Sequence, residues 1–413
     1  MSVFLEAPLE SLCRKVTDGT HDSPKSLPDG VPFIKGKHIS QGRLNLDYCD
    51  YISREDHLKV IARSKPERGD TLFSNIGSVG DSAFVNTDAE FSIKNVALFK
   101  PDFERVVPKY LFYLLRSPSV LGGLLSMRSG SAQPFIGLET LRKYSVRYHG
   151  SLSTQSKVVS VLSAYDDLIE NNTRRIEILE EMARRLYEEW FVQFRFPGHE
   201  GGEFKESELG LIPEGWKVSA LDEFGEIITG KTPSKNKPEF FGGDVPFIKL
   251  PDMHGNTFII ETTEKLSQEG VGSQKMKTIP PGSICVSCIG TAGVVVITSE
   301  LSQTNQQINS IVPRAPELRE FLFFAATSLK DKINNYGATG ATMTNLSRGK
   351  FSSLQVVEPK EDLLCGYNKL AAPFFDKILC LQKTNRNLRA QRDLLLPKLI
   401  SGEIDVSDIP MPT

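Results

Sequence analysis

A five-residue run, Val31-Pro32-Phe33-Ile34-Lys35, returns as Val245-Pro246-Phe247-Ile248-Lys249, an offset of 245 − 31 = 214 residues. Gly69-Asp70-Thr71-Leu72 through Ile76-Gly77-Ser78-Val79-Gly80 returns as Gly282-Ser283-Ile284-Cys285 through Ile289-Gly290-Thr291-Ala292-Gly293, at 290 − 77 = 213. Further along, Gly130, Ile136, Val146 and Asp166 correspond to Gly340, Leu346, Val356 and Asp376, at 376 − 166 = 210. Matches in one order, with so little drift in offset, mark an internal duplication. The length of 413 residues agrees, since one ordinary domain takes roughly 150.

Each half has the same anatomy: a strand-rich, mixed segment and then a helix. From Gln155 to Phe194 there is no Pro or Gly. Val158, Tyr165, Leu179 and Leu186 fall on one seven-residue repeat, with Asn172 at its remaining place. Leu162, Ile169, Ile176 and Trp190 lie beside them. This predicts an amphipathic helix of about 40 residues, about 60 Å long at 1.5 Å per residue. In the second half Tyr367, Phe374, Leu381, Leu388 and Leu395 repeat every seven residues. Pro373 is expected to kink or start that helix, because proline removes a backbone donor. Neither helix can bury its stripe alone. The economical solution is an antiparallel coiled coil within one chain, with Asn172 fixing register. The alternative is that each helix packs only on its own lobe.

Strands are expected at Val31–Ile34, Thr71–Phe73, Ser82–Val85, Val96–Lys100, Ser283–Ile289, Val294–Thr298 and Ile308–Val312, all short, β-branched and bounded by turn formers. Short helices are expected at Pro108–Arg116, Pro118–Met127, Gly137–Lys143 and Leu318–Lys330. The fold class is therefore α+β: two tandem lobes with mostly antiparallel sheets, each followed by a long helix. The expected division is 1–150 for the first lobe, 151–197 for the central helix and 198–214 for a linker. The second lobe takes 215–357, the distal helix 358–405 and a tail 406–413. Phe196-Pro197-Gly198-His199-Glu200-Gly201-Gly202-Glu203, rich in turn formers and acids, opens the linker.

Composition narrows the function classes. The net charge is −2, but residues 1–150 hold 20 Lys+Arg against 17 Asp+Glu, and 215–357 hold 14 against 13. Mildly basic lobes between acidic segments permit nucleic-acid binding without demanding it. No run of about 18 uncharged apolar residues suggests a membrane span, and the N-terminus lacks the layout of a signal peptide. Six cysteines in so long a chain fit a reduced cytoplasm better than a disulfide framework. Cys285 and Cys288 form a C-x-x-C without further metal ligands, inside what reads as a strand, so they are expected to be buried and structural.

Searches for catalytic motifs mislead or fail. Gly225-Glu226-Ile227-Ile228-Thr229-Gly230-Lys231-Thr232 satisfies the P-loop expression. A P-loop needs a helix directly after it, and Pro233, Pro238, Gly242 and Gly243 follow instead. There is no G-x-S-x-G and no H-E-x-x-H. The sole Pro-Pro, in Ile279-Pro280-Pro281-Gly282, does not fit an adenine methyltransferase motif. His21 and Asp22 are adjacent, a poor geometry for an acid–base pair. No catalytic or metal site is assigned.

What remains is a set of polar loops at matching places in the two lobes. Thr17–Pro24, with Lys25 just beyond, and Ser129–Pro134 belong to the first. Thr229–Lys235 and Gly337–Thr342 belong to the second. Short polar and cationic side chains on such loops suit phosphates and base edges. The candidate DNA contacts are Thr20, His21, Lys25, Ser131, Gln133, Lys231, Thr232, Ser234, Lys235, Thr339 and Thr342, with Lys35, Lys37, Lys249 and Arg348 as phosphate partners.

Three stretches carry a resemblance. Glu206-Ser207-Glu208-Leu209-Gly210-Leu211-Ile212-Pro213-Glu214-Gly215-Trp216-Lys217-Val218 resembles the start of a second target-recognition domain. Trp190-Phe191-Val192-Gln193-Phe194-Arg195-Phe196-Pro197-Gly198 resembles the exit of a central conserved helix, and Asp393-Leu394-Leu395-Leu396-Pro397-Lys398-Leu399-Ile400-Ser401-Gly402-Glu403-Ile404 the end of a distal one. With the duplication, nearly the whole chain resembles the specificity subunit (HsdS) of type I restriction–modification systems. In place of that family's Pro-Leu-x-Glu-Gln opening of the central helix stands Leu152-Ser153-Thr154-Gln155.

The resemblance implies a non-catalytic subunit. Its two recognition domains each read one half of a split double-stranded DNA target, with the paired helices fixing the gap. It implies docking of two methyltransferase subunits and of restriction–translocase subunits. S-adenosylmethionine, ATP and Mg2+ would be held by those partners, with no cofactor in this chain. A stand-alone DNA-binding or inhibitory protein built on the same lobes, and a nucleotide-driven enzyme using Lys231 and Thr232, are the competing readings.

Overall fold

The computed structural model describes residues 3–40, 42–47, 49–130, 134–337 and 345–410. The chain divides into two compact units, Met1–Asp167 with Leu388–Thr413, and Leu168–Asn387. The division cuts through both long helices, α1 (Leu152–Tyr187, 36 residues) and α2 (Glu361–Ser401, 41 residues). Each unit therefore contains a piece of both.

In the first unit a four-stranded antiparallel sheet runs in the order Cys13–Asp18, Ala97–Pro101, Thr71–Phe73, Ser82–Phe84. A second sheet has Asp50–Ile52 antiparallel and Ser92–Ile93 parallel to Val31–Ile34. Phe4–Pro8 pairs with Ser145–His149, just before α1. The second unit repeats this plan. Gly225–Thr229, Ile308–Pro313, Ile284–Ser287 and Val295–Thr298 stand in the same order, extended by Phe258–Ile259. Glu264–Leu266 and Ser302–Thr304 flank Phe241–Ile248, again antiparallel and parallel. Lys217–Ala220 pairs with Gln355–Glu358, just before α2. The duplication read from short motifs is thus a duplication of strand order, with parallel pairs in otherwise antiparallel sheets.

The apolar stripes of α1 and α2 are consumed inside each unit. In the first, Val158 and Leu162 of α1 share a core with Leu396, Leu399 and Ile400 of α2. Asp166 accepts a hydrogen bond from Arg392 at 2.6 Å and another from Tyr113 at 2.6 Å. In the second, Ile176, Ala183 and Tyr187 of α1 share a core with Tyr367, Ala371, Phe375, Ile378 and Leu381 of α2. Asn172 donates to Asn385 at 3.0 Å, and Asn385 donates in turn to Thr173 and to the Ile169 carbonyl. Residue 172 thus lies opposite 385, and Tyr187 opposite Tyr367 (ring centroids 6.5 Å apart), which is antiparallel packing. In the second unit α1 also packs on the second lobe, as Tyr187 does on Phe321 and Phe324, so it does not pack only on the lobe that precedes it. Asp376, the repeat mate of Asp166, likewise meets an arginine, Arg319, at 3.2 Å.

Several local expectations need correction. Pro373 does not start the distal helix; α2 runs continuously through it. Regular α-helix in α1 ends at Tyr187 and gives way to a π-turn, Glu188–Val192, that turns Trp190 and Phe191 into the core. The helix expected at Leu318–Lys330 is Arg319–Ser328, and a further helix, Lys330–Gly337, follows it. Within 198–214, Phe204–Ser207 and Gly210–Pro213 form an antiparallel hairpin. The helix Arg54–Ser64 went unread because it is mostly polar, burying only His57, Val60 and Ser64. Its one signal was Ser53, whose side chain accepts from the Asp56 amide.

The Asn172–Asn385 contact yields a stability test. Asn385→Ala strands a buried amide and should cost about 1–3 kcal/mol by denaturant titration, while Asn172→Leu with Asn385→Leu should recover most of that loss. A single variant as stable as the parent would show that the polar pair contributes nothing.

Candidate nucleic-acid interface

In the first lobe the loop after strand Cys13–Asp18 is bound to the turn after Ser92–Ile93. The Thr20 amide donates to the Ile93 carbonyl at 3.1 Å, and Thr20 and Lys94 form a β-bridge. The exposed ring of His21 is held between the Asn95 side chain (2.8 Å) and Asp18 (3.1 Å). Lys94 donates to Ser23. Lys35, Lys37, Lys94 and Asn95 face Gly77 and Ser78 around a hollow of about 260 Å³. Lys25 is exposed, and its neighbours Pro24 and Ser26 line an adjoining hollow with Lys35 and Lys94. The structure thus gathers Thr20, His21, Lys35 and Lys37 and adds Lys94, Asn95 and Ser78. Sequence reading missed Lys94 and Asn95 because their proximity arises from strand pairing across some 70 residues, and Ser78 because it meets Lys35 and Lys37 only around this hollow.

Lys35 and Lys249 share an arrangement. Each closes the Val-Pro-Phe-Ile-Lys strand and lies 5.7 Å from the ring centre of the preceding phenylalanine, Phe33 or Phe247. Each is ion-paired: Lys35 with Asp50 at 2.6 Å, and Lys249 with Glu264, on the corresponding neighbouring strands. The hydrogen bond from Lys35 holds the Asp50 carboxyl below its ordinary pKa. Burial, then the charge of Lys37, pushes the His38 imidazole down, which favours its neutral form. Its Nδ1 accepts from the Lys35 amide, a place that the Asp252 carboxylate takes for Lys249. Lys35 and Lys249 are therefore partly neutralised within the fold. Lys37, by contrast, is exposed and forms no ion pair with a described residue.

In the second lobe the Gly-Lys-Thr segment is tied down by its backbone. The Gly230 amide donates to Ile308 at 3.0 Å, and the Lys231 amide to Thr304 at 2.9 Å. A Cβ on Gly230 would come within 2.2 Å of the Thr304 hydroxyl, so glycine is required here by close strand packing. The amides that a P-loop aims at phosphate are thus spent, and the next element is a 3-10 turn at Pro238–Phe240, not a phosphate-binding helix. Thr232 donates to Gln306 at 2.7 Å. Ser234 and Lys235 are exposed beyond it. Arg348, exposed, opens the short helix Arg348–Ser352.

Ser131, Gln133, Thr339 and Thr342 lie outside the described residues. The chain just after both loops is anchored equivalently, the Ile136 amide to Asn75 at 2.8 Å and the Leu346 amide to Cys288 at 3.0 Å. Cys285 lies in the strand Ile284–Ser287 and Cys288 just beyond it, both buried. Burial pushes their thiols up to about 12 and about 11, which favours the protonated form. Among the described residues no group of His, Cys, Asp and Glu is arranged to hold a metal ion, and no helix is long and apolar enough to cross a membrane.

Comparison with known proteins agrees with this arrangement. Residues 213–363 match the family described as type I restriction modification DNA specificity domain. The chain is 32% identical over 420 residues to the HindI specificity subunit of Haemophilus influenzae, covering 86% of this chain and 91% of that protein. It is 27% identical to the MjaIX specificity subunit of Methanocaldococcus jannaschii, covering 94% and 88%. The crystal structure of a type I restriction–modification S subunit from M. genitalium superposes with a TM-score of 0.59 at 15% identity, over 97% of this chain and 96% of that one. At that identity the likeness concerns the fold.

The exposed cations with no ion pair among the described residues give a graded expectation. Alanine at Lys37, Lys231, Lys235 or Arg348 should weaken binding to all DNA sequences alike and lower the salt slope by about one unit each. Lys35→Ala and Lys249→Ala should have smaller slope effects, since their carboxylate partners already offset the charge. A variant that instead changes which sequence is bound would mark that residue as a base reader.

Proposed function

This chain belongs to the specificity subunits of type I restriction–modification systems, and we propose that it reads a split double-stranded DNA target with one half-site for each lobe. The observation that carries this reading is the repeated strand order of the two units, which sets two equivalent groups of polar loops on equivalent scaffolds. The recognition domains are 1–150 and 215–357. Their contact residues are the loop positions named above, with Lys35, Lys37, Lys249 and Arg348 directed to phosphates. Helices α1 and α2 fix the gap between half-sites and carry two methyltransferase subunits, to which restriction–translocase subunits are added for cleavage. Adenine methylation, with S-adenosylmethionine, belongs to the first partners, and ATP and Mg2+ to the assembled machine. The complex works in the cytoplasm of a bacterium or archaeon.

Sequencing methylated adenines in host DNA, with the gene intact and deleted, tests the reading. A split motif that vanishes on deletion is the expected outcome and supplies both half-sites. An unchanged methylome would favour a stand-alone DNA-binding or inhibitory protein.

The spacing role has its own test. Four residues inserted into each of α1 and α2 should lengthen the pair by about 6 Å, nearly two base pairs at about 3.4 Å each. The methylated motif of that variant should show a correspondingly longer gap, and an unchanged gap would refute the ruler.

A further inference from the structure

Among the described residues the most exposed of the large apolar side chains is Met276, 83% accessible, at the centre of the 3-10 turn Lys275–Lys277 in the second lobe. No described residue of its unit covers it, and a lysine stands on either side. Neither Lys275 nor Lys277 is ion-paired with a described residue.

The turn is held firmly. Gln274, 8% exposed, precedes it; its side-chain amide donates to the Gln303 side chain at 2.7 Å and to the Lys231 carbonyl at 2.7 Å. Gln303, fully buried, donates to Thr278 at 2.9 Å on the far side of the turn. The Lys277 amide closes the turn on Gln274 at 2.8 Å. A buried glutamine pair thus fixes both ends, and one of its bonds joins the turn to the Lys231–Lys235 loop. Lys231, Lys235, Lys237, Lys275 and Lys277 come from two acid-free stretches, 231–237 and 273–278.

Rigid support, an uncovered apolar tip and flanking free cations make a defined recognition element. Cations on each side suit successive phosphates, and the unbranched thioether between them suits the apolar surface of a base. We propose that the Lys275–Lys277 turn is a DNA-reading element of the second recognition domain. Met276 makes an apolar contact with a base of its half-site, and Lys275 and Lys277 straddle that base on the phosphate backbone. The inference rests on the DNA-reading function proposed above and assigns to it a residue outside the polar loops. Charge favours DNA over a protein partner as the occupant, since no carboxylate among the described residues neutralises the two lysines.

Because Met276 is solvent-exposed, its replacement leaves the fold intact and the test is direct. The full chain, assembled with its methyltransferase subunits, is titrated against duplexes carrying the methylated split motif and against duplexes with the second half-site scrambled. Met276→Ala should weaken binding to the cognate duplex about tenfold, leaving scrambled binding and the salt slope unchanged. Lys275→Ala and Lys277→Ala should weaken binding to both duplexes and lower the slope by about one unit each. Uracil in place of thymine distinguishes the two apolar surfaces: loss of the Met276 effect identifies a thymine methyl, and its persistence a base face, either of which supports the contact. Cognate affinity unchanged in Met276→Ala overturns the proposal while leaving the DNA-reading function intact. So does a loss of methyltransferase association in that variant, which would make the turn a protein-docking element. Failure of the parent complex to distinguish cognate from scrambled DNA would overturn the function itself.

Discussion

Two long apolar stripes cannot be left in water, and the structure follows from how they are buried. An isolated helix gains too little from its own hydrogen bonds to persist, so α1 and α2 depend on one another and on the lobes. The dependence is mutual. The first unit completes its core with Val158 and Leu162 from one helix and Leu396, Leu399 and Ile400 from the other. The second draws Ile176, Ala183 and Tyr187 from α1 and Tyr367 through Leu381 from α2. The first unit is not finished by one contiguous stretch of chain: residues 388–410 serve strands that all lie before residue 150.

The polar contacts along this seam differ from the apolar ones in what they specify. Apolar packing tolerates a shift of register better than a pair of side-chain amides does. Asn172 opposite Asn385, and Arg392 on Asp166, are met only when the helices are aligned as they are here. Each contact therefore fixes the register of the two helix segments inside its own unit.

A duplicated scaffold also separates what is fixed from what can vary. Strand order, the lysine–carboxylate pair at the end of each Val-Pro-Phe-Ile-Lys strand and the anchoring of the chain at Ile136 and Leu346 recur in both units. The loops between them share place but not sequence: Thr20-His21-Asp22-Ser23 on one side, Lys231-Thr232-Pro233-Ser234 on the other. Two lobes with common cores and different loops can recognise different half-sites without any change to the framework. The Gly-Lys-Thr match is a by-product of the same framework, because Gly230 is there to let two strands approach.

Much of this was legible in the amino-acid sequence. Repeats, helical periodicity and turn residues are local or periodic signals, so the duplication, both long helices and most core strands could be read directly. The family followed from contiguous motifs around Trp216 and Pro397. What required the tertiary structure were properties set by distant neighbours. Lys35 and Lys37 look equivalent in sequence, yet Asp50 reaches only the first. Pro373 carries a helix-breaking signal that packing of Phe374 and Phe375 overrides. Asn95 joins His21 only through strand pairing, and Met276 is left exposed on a turn held by a buried glutamine pair. Sequence determined which elements form, because their causes are local; the tertiary structure decided which charges are free and which apolar groups are uncovered, because those depend on what the fold brings alongside.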